Sequence, residues 1–485
     1  MSQEKANINL TNWDIVGVNP NDKNWTWGDM FCFWAINIQS LIGFSLVASL
    51  YLVYDLNILI VFTACLLAGL LVAFFSNMVG SPSQKYGLPF PVILRSSFGV
   101  GGARYVALLR GIVGIFMFGV QTFFISKSIG YLIRIFIFNI NDTILDHEIL
   151  LSFLMGMDLI DWFSFVAALI LQFYLFKQGQ NFIKSILNFS AWFVYLGILI
   201  FIIILAGENS KEIISAFMLS AKTENFISSE NLIALVSITG TLFAYFSIVI
   251  LNIGDFSRYI KNTSENHKGN YSLIINLIIF SFTSVFIVLG ADIVMAKQFL
   301  EVEQLLTNPK DIIGKIDNNY LTIIAISFIL VASGSTNLIA NYIPTQNTLL
   351  NFLPKSFDKT NSGLLIIILG LIVGALWLPI LSQSGILSII DTVGSFFGPI
   401  AGVIIADYYL IKNKQFISKD IFSDSKSAAY FYSNGWQIKG VYSMFIGFIF
   451  AASTIWNVEL RFLQTFAWLI GAFVSYITYY LLASD

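Results

Sequence analysis

The sequence predicts an all-α polytopic membrane protein with 12 transmembrane helices. Three observations carry that reading. Of the 485 residues, 57% are apolar and only 11% are charged, against about 45–50% and about 25% in a soluble domain. The mean hydropathy is +0.78. The apolar residues gather in long, uniform runs of about 20, the length that carries a helix across about 30 Å of hydrocarbon. A closed barrel would instead need alternating segments of about ten residues.

Taken in order, residues 1–27 form a polar tail with no basic stretch leading into an apolar one, which reads as a retained cytoplasmic segment rather than a cleaved signal. Spans 1–5 fall near 28–52, 56–78, 103–134, 161–178 and 181–206. Spans 6–10 fall near 231–253, 271–296, 320–346, 362–382 and 385–411, and spans 11 and 12 near 440–456 and 460–482. Residues 28–206 and 231–411 thus hold five spans each, and 440–482 holds a trailing pair. With the tail inside, eighteen of the 26 Lys and Arg lie on its side, seven lie on the other, and Lys127 falls within span 3. Positive charge marks the cytoplasmic side, so both termini are expected in the cytoplasm of a multi-pass protein of the plasma (inner) membrane. The acidic stretch 141–161 would face outward.

The same composition excludes other classes. A net charge of −2 offers no basic face to nucleic acid. Two cysteines, Cys32 and Cys65, make no disulfide framework and no metal cluster. His147 and His267 both lie outside the spans, leaving no acid–base constellation at membrane depth for an enzyme. No cofactor is expected.

Polar residues inside spans point to function. Transporter helices are often broken near the midplane, where unwound backbone meets solute. Span 1 clusters Asn37, Gln39, Ser40 and Gly43; span 6 holds Thr239, Gly240 and Thr241, with Asn252, Gly254 and Asp255 at its end. Each opens a five-span unit, as in an inverted-repeat transporter; the alternative is that small and polar residues only pack helices together. In span 8, Ala332, Ser335 and Thr336 share a face at i, i+3 and i+4. A carbonyl and two hydroxyls suit a small alkali cation, although such hydroxyls also bond back to their own helix. Gln121 sits mid-way along span 3, where an amide must bridge helices or face a wet cavity. Lys127, toward the outer end, is expected to snorkel to the interface. Asp255, Arg258 and Asp407 are expected to cap helices or pair with loop bases. Asp391 would line the outer gate or titrate.

These residues bring out a resemblance. AINIQ in span 1, FGVQT in span 3, NIGDFSRY after span 6, SGSTNLIANYI in span 8 and GPIAGVIIADYYLIKNK in span 10 resemble the nucleobase–cation symporters, importers of purines, pyrimidines, hydantoins, allantoin and some vitamins. The resemblance implies two inverted five-helix repeats of the leucine-transporter type plus two C-terminal helices, and alternating access around a central site. It implies sodium ligands in the carbonyls of Ala35, Ile38 and Ala332 and the hydroxyls of Ser335 and Thr336. It also implies substrate contacts from the amides of Gln39, Gln121 and Asn341, which complement the alternating N–H and C=O edge of a uracil- or hydantoin-like ring. Met117 and Phe246 stand where hydantoin-carrying members have tryptophans. Asn341 is the awkward member: on an ideal helix it lies about 140° around from Thr336.

The expected function is therefore secondary active import of a nucleobase or related small heterocycle coupled to a sodium ion, by alternating access. Proton coupling with a vitamin-type substrate such as thiamine or nicotinamide riboside, or an amino-acid symporter of the same architecture, are the alternatives. A channel would need a continuous polar lining, which the isolated polar patches do not supply.

Overall fold

The computed structural model describes residues 12–38, 58–207, 209–221, 228–298, 319–417, 419–423 and 425–484. Eleven helices among them are long and apolar enough to cross a membrane. The first span is described only as α1, Trp27–Ile38, so Gln39, Ser40 and Gly43 lie outside the described residues. α1 starts where it does because Thr26 and Asp29 form a capping pair: the Thr26 backbone N–H and hydroxyl both donate to Asp29 Oδ2, at 2.8 and 2.9 Å.

The remaining helices are α2 (Ile58–Tyr86), α3 (Phe90–Ile140), α4 (Leu159–Phe176), α5 (Gln180–Ala206), α6 (Ser229–Asn252) and α7 (Thr263–Gln298). α8 begins as Asn319–Thr336, widens to a π turn over Asn337–Tyr342 and continues as Ile343–Phe352. α9 is Lys359–Leu376 with a π turn over Trp377–Leu381. α10 is divided into Ile386–Gly394 and Phe397–Ala406. α11 (Ile438–Trp456) and α12 (Ala467–Ala483) follow.

The helices pack in groups. α2 packs against α6 and α7, and α7 against α1, making a four-helix bundle; α3 packs against α4, α8 and α9; α10, α11 and α12 pack together. α5 touches α1 and α7 on one side and α8 on the other. At 51 residues α3 is far longer than one crossing needs. It is broken at Gly99, where φ is 81° and an added Cβ would lie 2.4 Å from the Gly435 carbonyl oxygen. Glycine alone fits there, and the Gly101 N–H then donates to that carbonyl at 2.7 Å.

One expectation fails here. α6 is continuous through Thr239–Thr241. The Thr239 and Thr241 hydroxyls bond back to the carbonyls of Leu235 and Ser237, at 2.7 and 2.9 Å. Gly240 is small because the chain leading into α12 presses on it: a Cβ there would meet Thr465 and Phe466 within 2.8 Å. The break comes instead at Ile253, where α6 ends and the short helix Gly254–Ser257 begins.

Prolines inside helices free carbonyls, and other helices take them. Pro82 has no N–H for the Met78 carbonyl, which the Tyr409 hydroxyl reaches at 3.3 Å. Pro344 likewise releases the Ala340 carbonyl, and the Arg110 guanidinium of α3 donates to it through Nη2.

Candidate functional site

The site forms where the bundle meets α3 and α8. Ser335 and Thr336 are buried on α8, facing the last turn of α1. The Thr336 hydroxyl lies 3.0 Å from the Ile36 carbonyl of α1 and 2.8 Å from the Ala332 carbonyl of its own helix. Ser335 Oγ lies 2.7 and 3.0 Å from the carbonyls of Val331 and Ala332. Each hydroxyl has one proton and can serve one carbonyl at a time, so neutral oxygens crowd together with more acceptors than donors. That donor set fits a hard monovalent cation. Ala35 and Ile38 are also buried, on the stretch of α1 that supplies the Ile36 carbonyl. Among the described residues no three His, Cys, Asp or Glu side chains converge, so a cation held here would be held by carbonyls and hydroxyls.

One turn further along α8 is an amide network. Asn341 Nδ2 donates to Gln121 Oε1 of α3 and to Asn337 Oδ1, both at 2.9 Å. Gln121 Nε2 donates to the Ser333 carbonyl at 3.1 Å. The π turn explains how Asn341 comes to meet Gln121. Its hydrogen bonds span five residues instead of four, so each residue turns by less than about 100° and Asn341 comes closer to the face of Thr336 than the ideal offset of about 140° would place it. The two predicted clusters thus lie on one stretch of α8, residues 332–341, joined by Gln121.

The network extends to residues that the sequence reading missed. Asn337 Nδ2 lies 2.8 Å from Gln172 Oε1 of α4 and 3.1 Å from Thr122 Oγ1, and Gln172 Nε2 donates to that same hydroxyl at 3.1 Å. All three are buried. Gln172 carried the signal that singled out Gln121, an amide alone in an apolar span, and could have been found by it. Of the expected stacking pair, Met117 is half-buried on α3. Phe246 is 1% exposed and packs edge-on against Trp34 of α1 at 6.1 Å and against Tyr245 at 4.9 Å. The Tyr245 hydroxyl donates to the Asn37 carbonyl at 2.9 Å, tying α6 to the end of α1.

A model of the family described as "Permease for cytosine/purines, uracil, thiamine, allantoin" matches residues 17–481. The chain belongs to this family. It is 28% identical over 443 residues to a purine-uracil permease of Arabidopsis thaliana, covering 91% of this chain and 70% of the relative. It is 25% identical over 492 aligned positions to an allantoin permease of Bacillus subtilis, covering 99% and 94%. Its fold matches that of Mhp1, a nucleobase-cation-symport-1 family transporter solved closed with bromovinylhydantoin bound, at a TM-score of 0.73 and 16% identity over 97% of this chain and 95% of that one. A Na+-coupled sialic acid symporter shares the fold, at a TM-score of 0.65 and 13% identity over 98% and 93%. The protein is a multi-pass secondary transporter and not an enzyme.

Below the amide network, toward the end of the permease that carries most of its Lys and Arg (the basic end), polar groups join the bundle to α3 and α8. Arg110 Nε donates to Asn252 Oδ1 at 2.9 Å. Asp255 is buried and accepts the Phe90 N–H at 3.1 Å, so it caps the start of α3 rather than its own helix. Burial pushes its carboxyl up to about 7, against the opposing pull of Arg258, the Phe90 N–H, Asn347 and Arg110. Gly114 of α3 lets α8 close in: a Cβ there would lie 2.0 Å from Thr345 Oγ1.

Arg258 ends the short helix Gly254–Ser257 and Asp407 ends the second piece of α10. Arg258 donates to the Tyr259 hydroxyl at 2.5 Å and lies 4.7 Å over its ring. Asp407 is held by hydroxyls rather than loop bases, from Ser96 at 2.9 Å, Ser97 at 3.1 Å and Tyr479 at 2.8 Å. Lys127 does not snorkel free. It pairs with buried Asp161 of α4, which Arg134 also reaches at 3.1 Å. A buried carboxylate draws both cations inward because its desolvation has to be offset. Asp391 is exposed on the first piece of α10.

Proposed function

We propose that this permease imports an uncharged nucleobase or related heterocycle (uracil-, cytosine-, purine-, allantoin- or hydantoin-like) in symport with sodium, by alternating access, with the basic end in the cytoplasm of a plasma-membrane protein. The observation that carries this reading is the bond between Asn341 and Gln121 beside the Thr336–Ile36 contact. In that arrangement Gln121 and Asn341 exchange their mutual bond for the donors and acceptors of a planar ring, which Gln39 of span 1 also meets, while Met117 and Phe246 flank it. Sodium among the oxygens of Ala35, Ile38, Ala332, Ser335 and Thr336 fixes the end of α1 against α8 and so shapes the substrate site. The relatives named as purine-uracil and allantoin permeases support a neutral heterocycle, and the site offers no side-chain cation among its assigned residues for an amino-acid carboxylate.

The deciding experiment is uptake and thermal stabilisation with uracil, cytosine, adenine, hypoxanthine, allantoin, hydantoins, thiamine and nicotinamide riboside, with sodium or choline at fixed pH. Sodium-dependent, saturable accumulation of one ring is expected. Uptake that is indifferent to choline replacement but driven by a pH gradient would replace sodium with the proton.

A further inference from the structure

A cavity of about 430 Å³ lies at the basic end between α2, α7 and the chain that follows α10. Lys85, His267 and Lys414 line it, and no Asp or Glu does. Lys85 Nζ donates to the Lys414 carbonyl at 2.8 Å, which holds the two lysines on one rim. Among the described residues neither lysine has a carboxylate within ion-pair distance. The wall includes Asn77, 6% exposed, whose Oδ1 accepts from Asn270 Nδ2 at 2.9 Å and from Asn266 Nδ2 at 3.4 Å. Two lysines with no acid among the lining residues give the cavity a positive field that favours an anion. One turn along α2 from Asn77, Phe74 is 51% exposed, and Tyr271 of α7 is 43% exposed. The polar cavity therefore opens beside large apolar rings on the outer surface of a membrane-spanning bundle.

We propose that this cavity seats the phosphate of an anionic phospholipid, with the phosphodiester on Lys85, Lys414 and His267 and the acyl chains leaving along Phe74 and Tyr271. Basic pockets between spanning helices recognise headgroups in this way. The aromatic flank favours a lipid over a free phosphate, which has no use for it. The lipid would straddle α2 and α7 of the four-helix bundle and the α10 segment outside it.

The test uses the full chain, delipidated in detergent and titrated with phosphatidylglycerol, phosphatidylcholine or inorganic phosphate, read by native mass spectrometry and melting temperature. Phosphatidylglycerol should be retained and should raise the melting temperature, and phosphatidylcholine and inorganic phosphate should do neither. Lys85→Gln/Lys414→Gln should weaken phosphatidylglycerol binding about tenfold or more, whereas Lys355→Gln/Lys426→Gln, at exposed lysines elsewhere, should leave it unchanged. If the double variant aggregates, Lys414→Gln alone carries the same comparison with a smaller loss. Equal binding of the two lipids, or full retention by the lysine variants, would overturn the site. A shift produced by inorganic phosphate alone would overturn the lipid as its source.

Discussion

Arg110 Nε and Asn252 Oδ1 meet at 2.9 Å and bridge α3 to the last residue of α6. The same guanidinium holds the Ala340 carbonyl that Pro344 leaves free, one residue before Asn341. It is therefore anchored on the α3–α8 side and clasps the bundle. Moving the bundle away from α3 and α8 at the basic end would break this bond. A hydrogen bond from a charged donor contributes about 1.5–3 kcal/mol, so Asn252→Ala should raise the population open at that end about tenfold or more. Labelling of a cysteine introduced at Thr345 should accelerate correspondingly. Unchanged labelling would show that the clasp does not hold the closed state.

Asp255 gives this end a pH dependence. An ordinary aspartate titrates near about 4 when unfolded, and in the folded protein this carboxyl is raised to about 7. Between these values the folded state binds the extra proton, so stability falls as pH rises from about 4 to about 7. Asp255→Asn keeps an acceptor for the Phe90 N–H and removes the titration. Its melting temperature should vary less with pH across that window than the wild type's, and parallel curves would assign the dependence elsewhere.

The amide network should set substrate recognition. Gln121→Ala removes a direct partner and should abolish the ligand's thermal shift. Gln172→Leu touches no substrate but releases Asn337, and through it Asn341. We expect the half-saturation constant to rise about tenfold, the equivalent of about 1.4 kcal/mol, with maximal uptake changed less. A Gln172→Leu protein with wild-type affinity would show that Asn341 is held without it.

Coupling should be lost at Thr336. Thr336→Val keeps the volume and removes the oxygen, and should weaken sodium stimulation about tenfold or more. Reciprocity requires that substrate affinity then respond less to sodium by the same factor. Sodium dependence that survives Thr336→Val and Ser335→Ala together would move the ion elsewhere.

By itself the sequence determined the class of protein, the family and that Ala332, Ser335 and Thr336 share one face of a helix. These follow from local pattern: a run long enough to cross hydrocarbon, and residues three and four apart that must share a helix face. Only the tertiary structure decided what the isolated polar residues do. Thr239 and Thr241 turned inward to their own helix because α6 did not break, and Lys127 and Asp255 found partners on other helices. Asn341 reached Gln121 because a π turn changed the local rotation, which the even spacing of an α-helix cannot anticipate. A buried polar group must be satisfied somewhere. Which helix satisfies it depends on chain segments far away in sequence, as with Arg110 on α3, which takes the carbonyl that Pro344 frees on α8.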